Sequence, residues 1–388
     1  MPEAFILDGV RTPIGRYGGA LAQTRPDDLA ALVVRTAVER SGIDPADIEE
    51  VVFGAANQAG EDNRNVARMA TLLAGLPDTI PGFTVNRLCA SGLTAIATAR
   101  QMIAAGDADV VVAGGVESMT RAPWVSEKPG RAWAKPGQSF DTSIGWRFTN
   151  PAFDADTTLT MPRTAERVAE KWKLTREELD AFALRSHERA LDAQKNGRFD
   201  AEIVAVGEMA KDEGPRADTT ADKLAGLRPI HGPGGVITAG NSSSLNDGAA
   251  AVVLVSERYA AAKGLRPRAR VVAGANAGVS PEIMGIGPVP ATRRVLERAG
   301  WAVGVLDAVE LNEAFASQAL ACIRELGLDD EIVNADGGAI ALGHPLGCSG
   351  TRITLTLLNR LERTGGQRGL ATMCVGVGQG SALLLELV

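Results

Sequence analysis

Two stretches far apart in this chain follow one plan. In the first, Phe83-Thr84-Val85-Asn86 leads into Cys89-Ala90-Ser91-Gly92, then an alanine-rich helical run, then Val110-Val111-Val112-Ala113 and the pair Gly114-Gly115. In the second, Ile332-Val333-Asn334 leads into Gly347-Cys348-Ser349-Gly350, another helical run, then Leu370-Ala371-Thr372-Met373-Cys374 and Val375-Gly376. Each reads as strand, loop, Ser-Gly, helix, strand and glycine turn. Self-similarity on this scale predicts a duplicated unit, and so two similar lobes that face each other.

The remaining pattern agrees with an α/β protein. Short apolar runs at 4–7, 50–54, 108–113, 249–255, 269–275, 308–311 and 370–374 predict strands. Alanine-rich amphipathic stretches at 27–41, 91–105 and 349–363 predict helices packed on them. Aromatics make up only 4% while glycine numbers 44, so aliphatic helices pack on aliphatic strands and the chain turns often. The middle differs. From 121 to 160 it is broken by Pro and Gly and holds several tryptophans. Helices are predicted at 164–173 and 175–196, the second opened by a Thr175/Glu178 capping box. With 199–240 again broken, the region 121–248 reads as an inserted cap domain.

Bulk properties exclude several function classes. A net charge of −7 gives no reason to expect nucleic acid as a partner. Four cysteines in 388 residues make no disulfide framework, and with three histidines and no paired ligand spacing a metal site is not expected. No apolar run is long enough for a bilayer, and the first residues lead straight into a strand without an export signal. A cytoplasmic, reducing setting is the expectation, in which a reactive thiol survives.

The residues that can carry chemistry sit at the ends of the repeated units. Cys89 closes an apolar run and opens a helix. First-turn N–H groups there are expected to favour thiolate, the form that attacks carbonyls. His344 lies between Gly343 and Pro345 in a loop before a helix, and the proline biases it to an extended backbone, which suits a general base. Cys374 ends a β-rich run before Val375-Gly376-Val377-Gly378, where glycines free N–H groups for an oxyanion. Asn312-Glu313-Ala314-Phe315 follows the strand at 308–311; its asparagine can hold a water or cap a helix. Cys322 reads as core. His187 reads as a solvated helix face, and His231, in a Gly/Pro loop, as a ligand-lining candidate.

Taken in order, these blocks resemble the thiolases, which transfer acyl groups to coenzyme A. The resemblance runs from Arg11-Thr12-Pro13-Ile14-Gly15 through Asn86–Gly92, Gly114-Gly115-Val116-Glu117-Ser118-Met119, the 239–248 segment, Asn312 to Ala316, the 343–350 segment and Cys374 to Gly380. It implies two similar βαβαβαββ halves in a five-layer α/β/α/β/α core. The N-terminal half would be 1–120 plus 249–268, the C-terminal half 269–388, and the loop domain 121–248 would carry much of the coenzyme A contact.

The resemblance also implies roles. Cys89 takes the acyl group as a thioester; His344 removes its proton; Cys374 protonates the departing acetyl-CoA enolate. A water on Asn312 with His344 would stabilise the enolate, and the N–H groups of Cys89 and Gly376 the tetrahedral intermediate. Met161 matches a substrate-lining position, Arg216 a nucleotide-side contact and Ser243 a pantetheine contact; Ala314 and Phe315 should border the acyl pocket, and His231 the adenine. Coenzyme A and acyl-CoA are substrates, so no cofactor is implied, and relatives are homodimers or homotetramers.

The stretches Glu117 to Val125, Asp141 to Pro151 and Met284 to Pro290 look like the 3-oxoadipyl-CoA branch of aromatic-compound breakdown, whose substrate carries a distal carboxylate that would want a cation or a nest of donors, with Arg147 as a candidate. Thr160, where biosynthetic acetoacetyl-CoA thiolases usually carry histidine, counts against that branch. A broad-chain fatty-acid 3-ketoacyl-CoA thiolase stays open as an alternative. A ketoacyl synthase would need a second histidine at Asn312. A non-catalytic CoA-binding relative should lack one of Cys89, His344 or Cys374.

Overall fold

The computed structural model describes residues 2–57 and 59–388. The chain opens with β1 (Ala4–Arg11), β2 (Gly15–Arg16), α1 (Pro26–Ser41), β3 (Glu50–Gly54), α2 (Val66–Leu73), β4 (Gly82–Val85), α3 (Ser91–Ala105) and β5 (Val110–Ser118). The middle holds β6 (Trp124–Ser126), β7 (Ser139–Asp141), α4 (Met161–Trp172), α5 (Arg176–Lys195) and α6 (Ala221–Ala225). Then come β8 (Asn246–Ser256), α7 (Glu257–Lys263), β9 (Ala269–Gly278), α8 (Pro288–Ala299), β10 (Ala308–Leu311), α9 (Ala316–Leu326), α10 (Ala339–Leu342), α11 (Leu346–Thr364), β11 (Arg368–Val375) and β12 (Gln379–Leu387).

The duplication is visible in the strand order. The first half pairs as β4-β3-β5-β8-β1, with β3 parallel to β4 and β5, and β8 antiparallel to β5 and β1. The second pairs as β10-β11-β12-β9 with the same directions, and Val333 adds a parallel bridge to Val309 where β4 stands in the first half. The halves join at one seam, where β1 and β9 pair through Phe5–Arg270 and Ile6–Ala269. Every residue of β5 and β8 is buried. That is what an unbroken apolar run such as 249–255 dictates when helices cover both faces. Each such Val or Leu contributes about 1.5–3 kcal/mol by leaving water.

Helices α3 and α11 pack on each other between the two halves of the sheet. Leu93, Ile96, Ala99 and Ile103 share one core with Ile353, Leu357 and Leu361. Their contact is close because glycines face each other. A Cβ on Gly92 would lie 2.6 Å from the Gly347 carbonyl oxygen, and one on Gly350 2.2 Å from the Leu93 nitrogen. The first half's outer face is covered by α1 and α2. The second half's is covered by α8 and α9 together with α4 and α5 of the inserted region, since Ala165, Val168, Leu179 and Phe182 join Leu311, Ala319 and Cys322. The five layers expected from the resemblance are present. The Thr175/Glu178 capping box forms, and α4 begins earlier than expected, with Pro162 in its first turn. Among the described residues no helix is long and apolar enough to cross a membrane.

Candidate active site

The N-terminal ends of α3 and α11 meet, a Cβ on Gly92 lying 2.6 Å from the Gly347 oxygen, and the glycine turn after β11 lies beside them; the glycine turn expected at Gly114-Gly115 is instead strand inside β5, paired with Ala251 and Ala250. Cys89 sits in a single 3-10 turn, Leu88–Ala90, just before α3. That turn is wound tightly. Leu88 has φ 48, a left-handed conformation that costs a non-glycine residue on the order of 1 kcal/mol or more. Its surroundings enforce it: the Leu88 N–H donates to Asn86 Oδ1 at 2.8 Å, and Ser91 Oγ donates to the Leu88 carbonyl at 2.6 Å. The cysteine is thereby held out of the helix, partly exposed.

The Gly376 amide, from the other half, lies near enough to the Cys89 sulfur to favour its charged form, and a Cβ on Gly376 would lie 3.1 Å from the Leu88 side chain next to it. The Cys374 thiol at the end of β11 is fully buried and feels the Cys89 sulfur. Two sulfurs and one amide from opposite halves therefore meet. The expectation that helix N–H groups make Cys89 a thiolate at rest is overturned. Burial pushes its thiol up to about 11, and the amides of Gly376 and Cys89 only partly offset this. Apolar surroundings, including Leu88 and the core beneath, outweigh the end of one helix. Burial likewise holds the Cys374 thiol far above its ordinary value, with Cys89 adding to it. Both thiols are protonated at rest, so a base must take the Cys89 proton.

His344 is buried, and its ring is fixed at both nitrogens. Nδ1 lies 2.6 Å from Ser349 Oγ, whose own hydrogen goes to the Pro345 carbonyl at 2.8 Å. Ser349 can therefore only accept from Nδ1–H, which leaves the lone pair on Nε2. That lone pair faces Asn312 Nδ2 at 3.4 Å. The Asn246 side chain holds the His344 backbone N–H at 3.0 Å. Burial, with Arg352 nearby, lowers the ring to about 3, so it is neutral at any physiological pH. Asn312 itself is fully buried, and its Oδ1 has no hydrogen-bond partner among the described residues. A buried acceptor left open beside an imidazole fits a bound water.

Glu313 does not face the site as a free carboxylate. It is buried and accepts from Ser186 Oγ at 2.6 Å, Asn334 Nδ2 at 2.9 Å and the Ile340 N–H at 3.1 Å, locking the Asn312 turn to the histidine loop. Ser243 donates from both its N–H (3.0 Å) and its hydroxyl (3.1 Å) to the Ala314 carbonyl, and Ser242 bridges Phe315. Met161, Ala314 and Phe315 belong to one core cluster, and Ala314 and Phe315 stand two and three residues after Asn312.

A cavity of about 770 Å³ opens beside this loop, walled among others by Arg16, His187, Arg216, Lys223, Leu227 and Ser242. Arg216 is one of the residues that wall it, whereas His231 is exposed and is not. His187 corrects the reading of α5. It is buried rather than solvated, and its Nδ1 accepts the Arg216 backbone N–H at 3.3 Å. Burial and the positive charge of Arg216 and Arg16 lower its ring to about 4. Periodicity could not find this, because the loop that covers that helix face comes from residues near 216.

Two other residues escaped the sequence reading. A Cβ on Gly376 would lie 3.0 Å from the Trp146 ring and 3.1 Å from Leu88, so Trp146 roofs the turn that holds Cys89. Glu117 is buried at the end of β5 and takes three backbone N–H groups. A lone acid closing an all-apolar run was the signal.

Family models agree with this geometry: "Thiolase, N-terminal domain" matches residues 4–258 and "Thiolase, C-terminal domain" matches 265–387. The chain is 56% identical over 398 residues to a beta-ketoadipyl-CoA thiolase of Pseudomonas aeruginosa, covering 100% of this chain and 99% of that one. It is 56% identical over 404 residues to a 3-oxoadipyl-CoA/3-oxo-5,6-dehydrosuberyl-CoA thiolase of Escherichia coli, covering 100% of both. The solved acetyl-CoA acetyltransferase of Bacillus anthracis superposes with a TM-score of 0.94 at 45% identity, covering 100% of this chain and 99% of that one. The two half-chain matches, the full-length relatives and the shared fold have one reading: this chain belongs to the thiolase family of acyltransferases.

Proposed function

We propose that the chain cleaves 3-oxoadipyl-CoA with coenzyme A to give succinyl-CoA and acetyl-CoA, through an acyl-enzyme on Cys89. The observation that carries it is the meeting of Cys89 from one half with the Gly376 turn and the Cys374 thiol from the other: a Cβ on Gly376 would lie 3.1 Å from Leu88, and both the Gly376 amide and Cys374 are near enough to act on the Cys89 charge. His344 Nε2, the unprotonated nitrogen of a neutral ring, takes the Cys89 proton. The sulfur then adds to the keto carbon, and the Cys89 and Gly376 amides receive the developing oxyanion.

The bond between the keto carbon and its α-carbon breaks. Its electrons go to the enolate of acetyl-CoA, stabilised by a water on Asn312 Oδ1 and by the protonated His344. Cys374 gives its proton to that α-carbon, and acetyl-CoA leaves. Coenzyme A gives its thiol proton to the Cys374 thiolate, attacks the Cys89 thioester and takes the succinyl group; the Cys89 thiolate leaves and recovers its proton from His344. Kinetics are ping-pong. Arg16 and Arg216 supply positive charge along the cavity for the nucleotide phosphates.

The six-carbon diacid is favoured over fatty acyl substrates by the names of the 56%-identical relatives and by Arg147. Arg147 follows Trp146 in the loop over the site, is half-buried, and has no ion pair or hydrogen bond among the described residues. A distal carboxylate would satisfy it. The four free cysteines and the reactive pair among them suit a cytoplasmic enzyme, and a homodimer or homotetramer is the assembly we infer from the family. Comparing turnover of 3-oxoadipyl-CoA with that of 3-oxohexanoyl-CoA tests the substrate. A clear preference for the diacid, lost in Arg147→Ala, supports the reading; equal turnover of both sinks it.

A further inference from the structure

The catalytic groups come from different halves, so something must hold the halves in register. Glu117 lies at that junction. Its Oε2 accepts the Ala56 N–H at 2.9 Å and the Gly347 N–H at 2.9 Å, and its Oε1 accepts the Asn57 N–H at 3.1 Å. Ala56 and Asn57 follow β3 in the first half. Gly347 belongs to the second half, three residues after His344 and in the first turn of α11. Its N–H is one of the donors a helix start leaves unpaired, and an anion there is favoured by the helix dipole. The backbones beneath are already in contact: a Cβ on Gly115 would lie 1.9 Å from the Gly347 oxygen, and one on Gly347 2.3 Å from the Val116 oxygen.

We propose that Glu117 is a positioning residue, which fixes the His344 loop of one half against the Ala56–Asn57 loop of the other by bridging their backbone amides; Ala56 in turn accepts from Asn86 Nδ2 at 2.9 Å, three residues before Cys89. It touches neither substrate nor reacting atoms in this scheme, and the inference rests on the reading of Cys89 and His344 given above. Two further facts bear on it. Burial raises its carboxyl to about 7 against the pull of the three N–H groups, with Asp62 adding to the rise. Its charge also reaches Cys89 and holds that thiol up. Glu117 therefore does two opposed things: it aligns the base and makes the nucleophile harder to ionise.

Those two effects separate in the variants. Glu117→Gln removes the charge and sets an NH2 against an N–H donor. Glu117→Asp keeps the charge but withdraws the carboxylate by one methylene. For each, kcat and KM with 3-oxoadipyl-CoA are measured, with the rate of Cys89 alkylation by iodoacetamide across pH and a thermal melt. Both variants are expected to lose about 10- to 100-fold in kcat with KM unchanged, the cost of misplacing a base by up to an ångström. Only Glu117→Gln should move the alkylation profile to lower pH. A thiol that reacts more readily in an enzyme that turns over more slowly is not what general loosening produces. Should Glu117→Gln fail to fold, Glu117→Asp decides, through its kcat against an unmoved alkylation profile. Full kcat in a folded variant overturns the proposal, as does a parallel fall of kcat, KM and melting temperature with no shift in the profile. Wild-type enzyme that keeps its turnover once Cys89 is alkylated would instead overturn the reading of the site itself.

Discussion

The Ser349 hydroxyl fixes the tautomer of His344. Its hydrogen is committed to the Pro345 carbonyl at 2.8 Å, so its oxygen, 2.6 Å from Nδ1, can only accept. The base lone pair is therefore on Nε2 before any substrate arrives. Pro345 sets both sides of this arrangement, as the acceptor of the Ser349 hydrogen and the residue that restricts His344. Ser349→Ala frees the ring to hold its proton on either nitrogen. We expect kcat to fall by about 10- to 100-fold with KM unchanged, because the loss is one of orientation. Steady-state kinetics check this, and unchanged kcat would remove Ser349 from the account.

The two sulfurs should separate by variant. Cys374→Ala is expected to accept an acyl group on Cys89 yet fail to make or break the carbon–carbon bond. Acylation from a simple acyl-CoA, followed by mass spectrometry, against thiolysis of a 3-ketoacyl-CoA reads both halves of that statement. Retained thiolysis contradicts the acid role.

Asn312 offers a second handle. Its buried Oδ1 has no partner among the described residues. Asn312→Ala removes the anchor of the proposed water and should cost about 10²–10³ in kcat, the usual size of one lost oxyanion donor. Single-turnover kinetics should show the loss in carbon–carbon cleavage rather than in coenzyme A attack on the thioester.

Two of the three histidines are held neutral. Burial and neighbouring cations lower His344 to about 3 and His187 to about 4, from an ordinary value of 6.5. In the unfolded chain both bind a proton as pH falls below 6.5; in the folded chain neither does until far lower. The unfolded state thus holds more protons, and stability falls as pH drops from about 6.5 toward 4 and below. Nitrogen-15 NMR should show the two rings unprotonated from pH 8 to pH 5. Denaturant melts should show an acid-side loss that shrinks in His344→Asn.

The seam between halves is the mechanical weak point. Gly115→Ala would drive a methyl group to 1.9 Å from the Gly347 oxygen, a contact that neither backbone can relieve without moving. Overpacking of this kind costs about 1–3 kcal/mol. We expect a lower melting temperature together with loss of turnover, whereas Gly42→Ala, with nothing near its Cβ but φ 69, should affect stability alone.

Much of this architecture was legible because it depends on periodicity. The runs at 50–54 and 308–311 are strands with those bounds, and 91–105 is a helix with those bounds. The repeated strand, Ser-Gly helix and strand made the duplicated halves legible, although the first unit's glycine pair is strand rather than turn because β5 continues through Gly114 and Gly115 to Ser118. The less legible parts depend on surroundings that the local pattern does not contain. Cys89 sits at a helix entrance, which favours thiolate, but its protonation is decided by the core around it. His187 looked solvated because its neighbours along α5 are charged; a loop from another segment covers it. Trp146 and Glu117 reach the site only because the inserted region folds back and because two backbones cross at glycines.

The central claim is a covalent one, and one measurement meets it directly. Wild-type enzyme is mixed with 3-oxoadipyl-CoA in the absence of free coenzyme A, quenched in acid and digested, and each cysteine peptide is weighed. The account predicts a succinyl group on Cys89 and an equal amount of acetyl-CoA released. Acylation at Cys348 or Cys374 instead, or acetyl-CoA released with no acyl group on any cysteine, would contradict it.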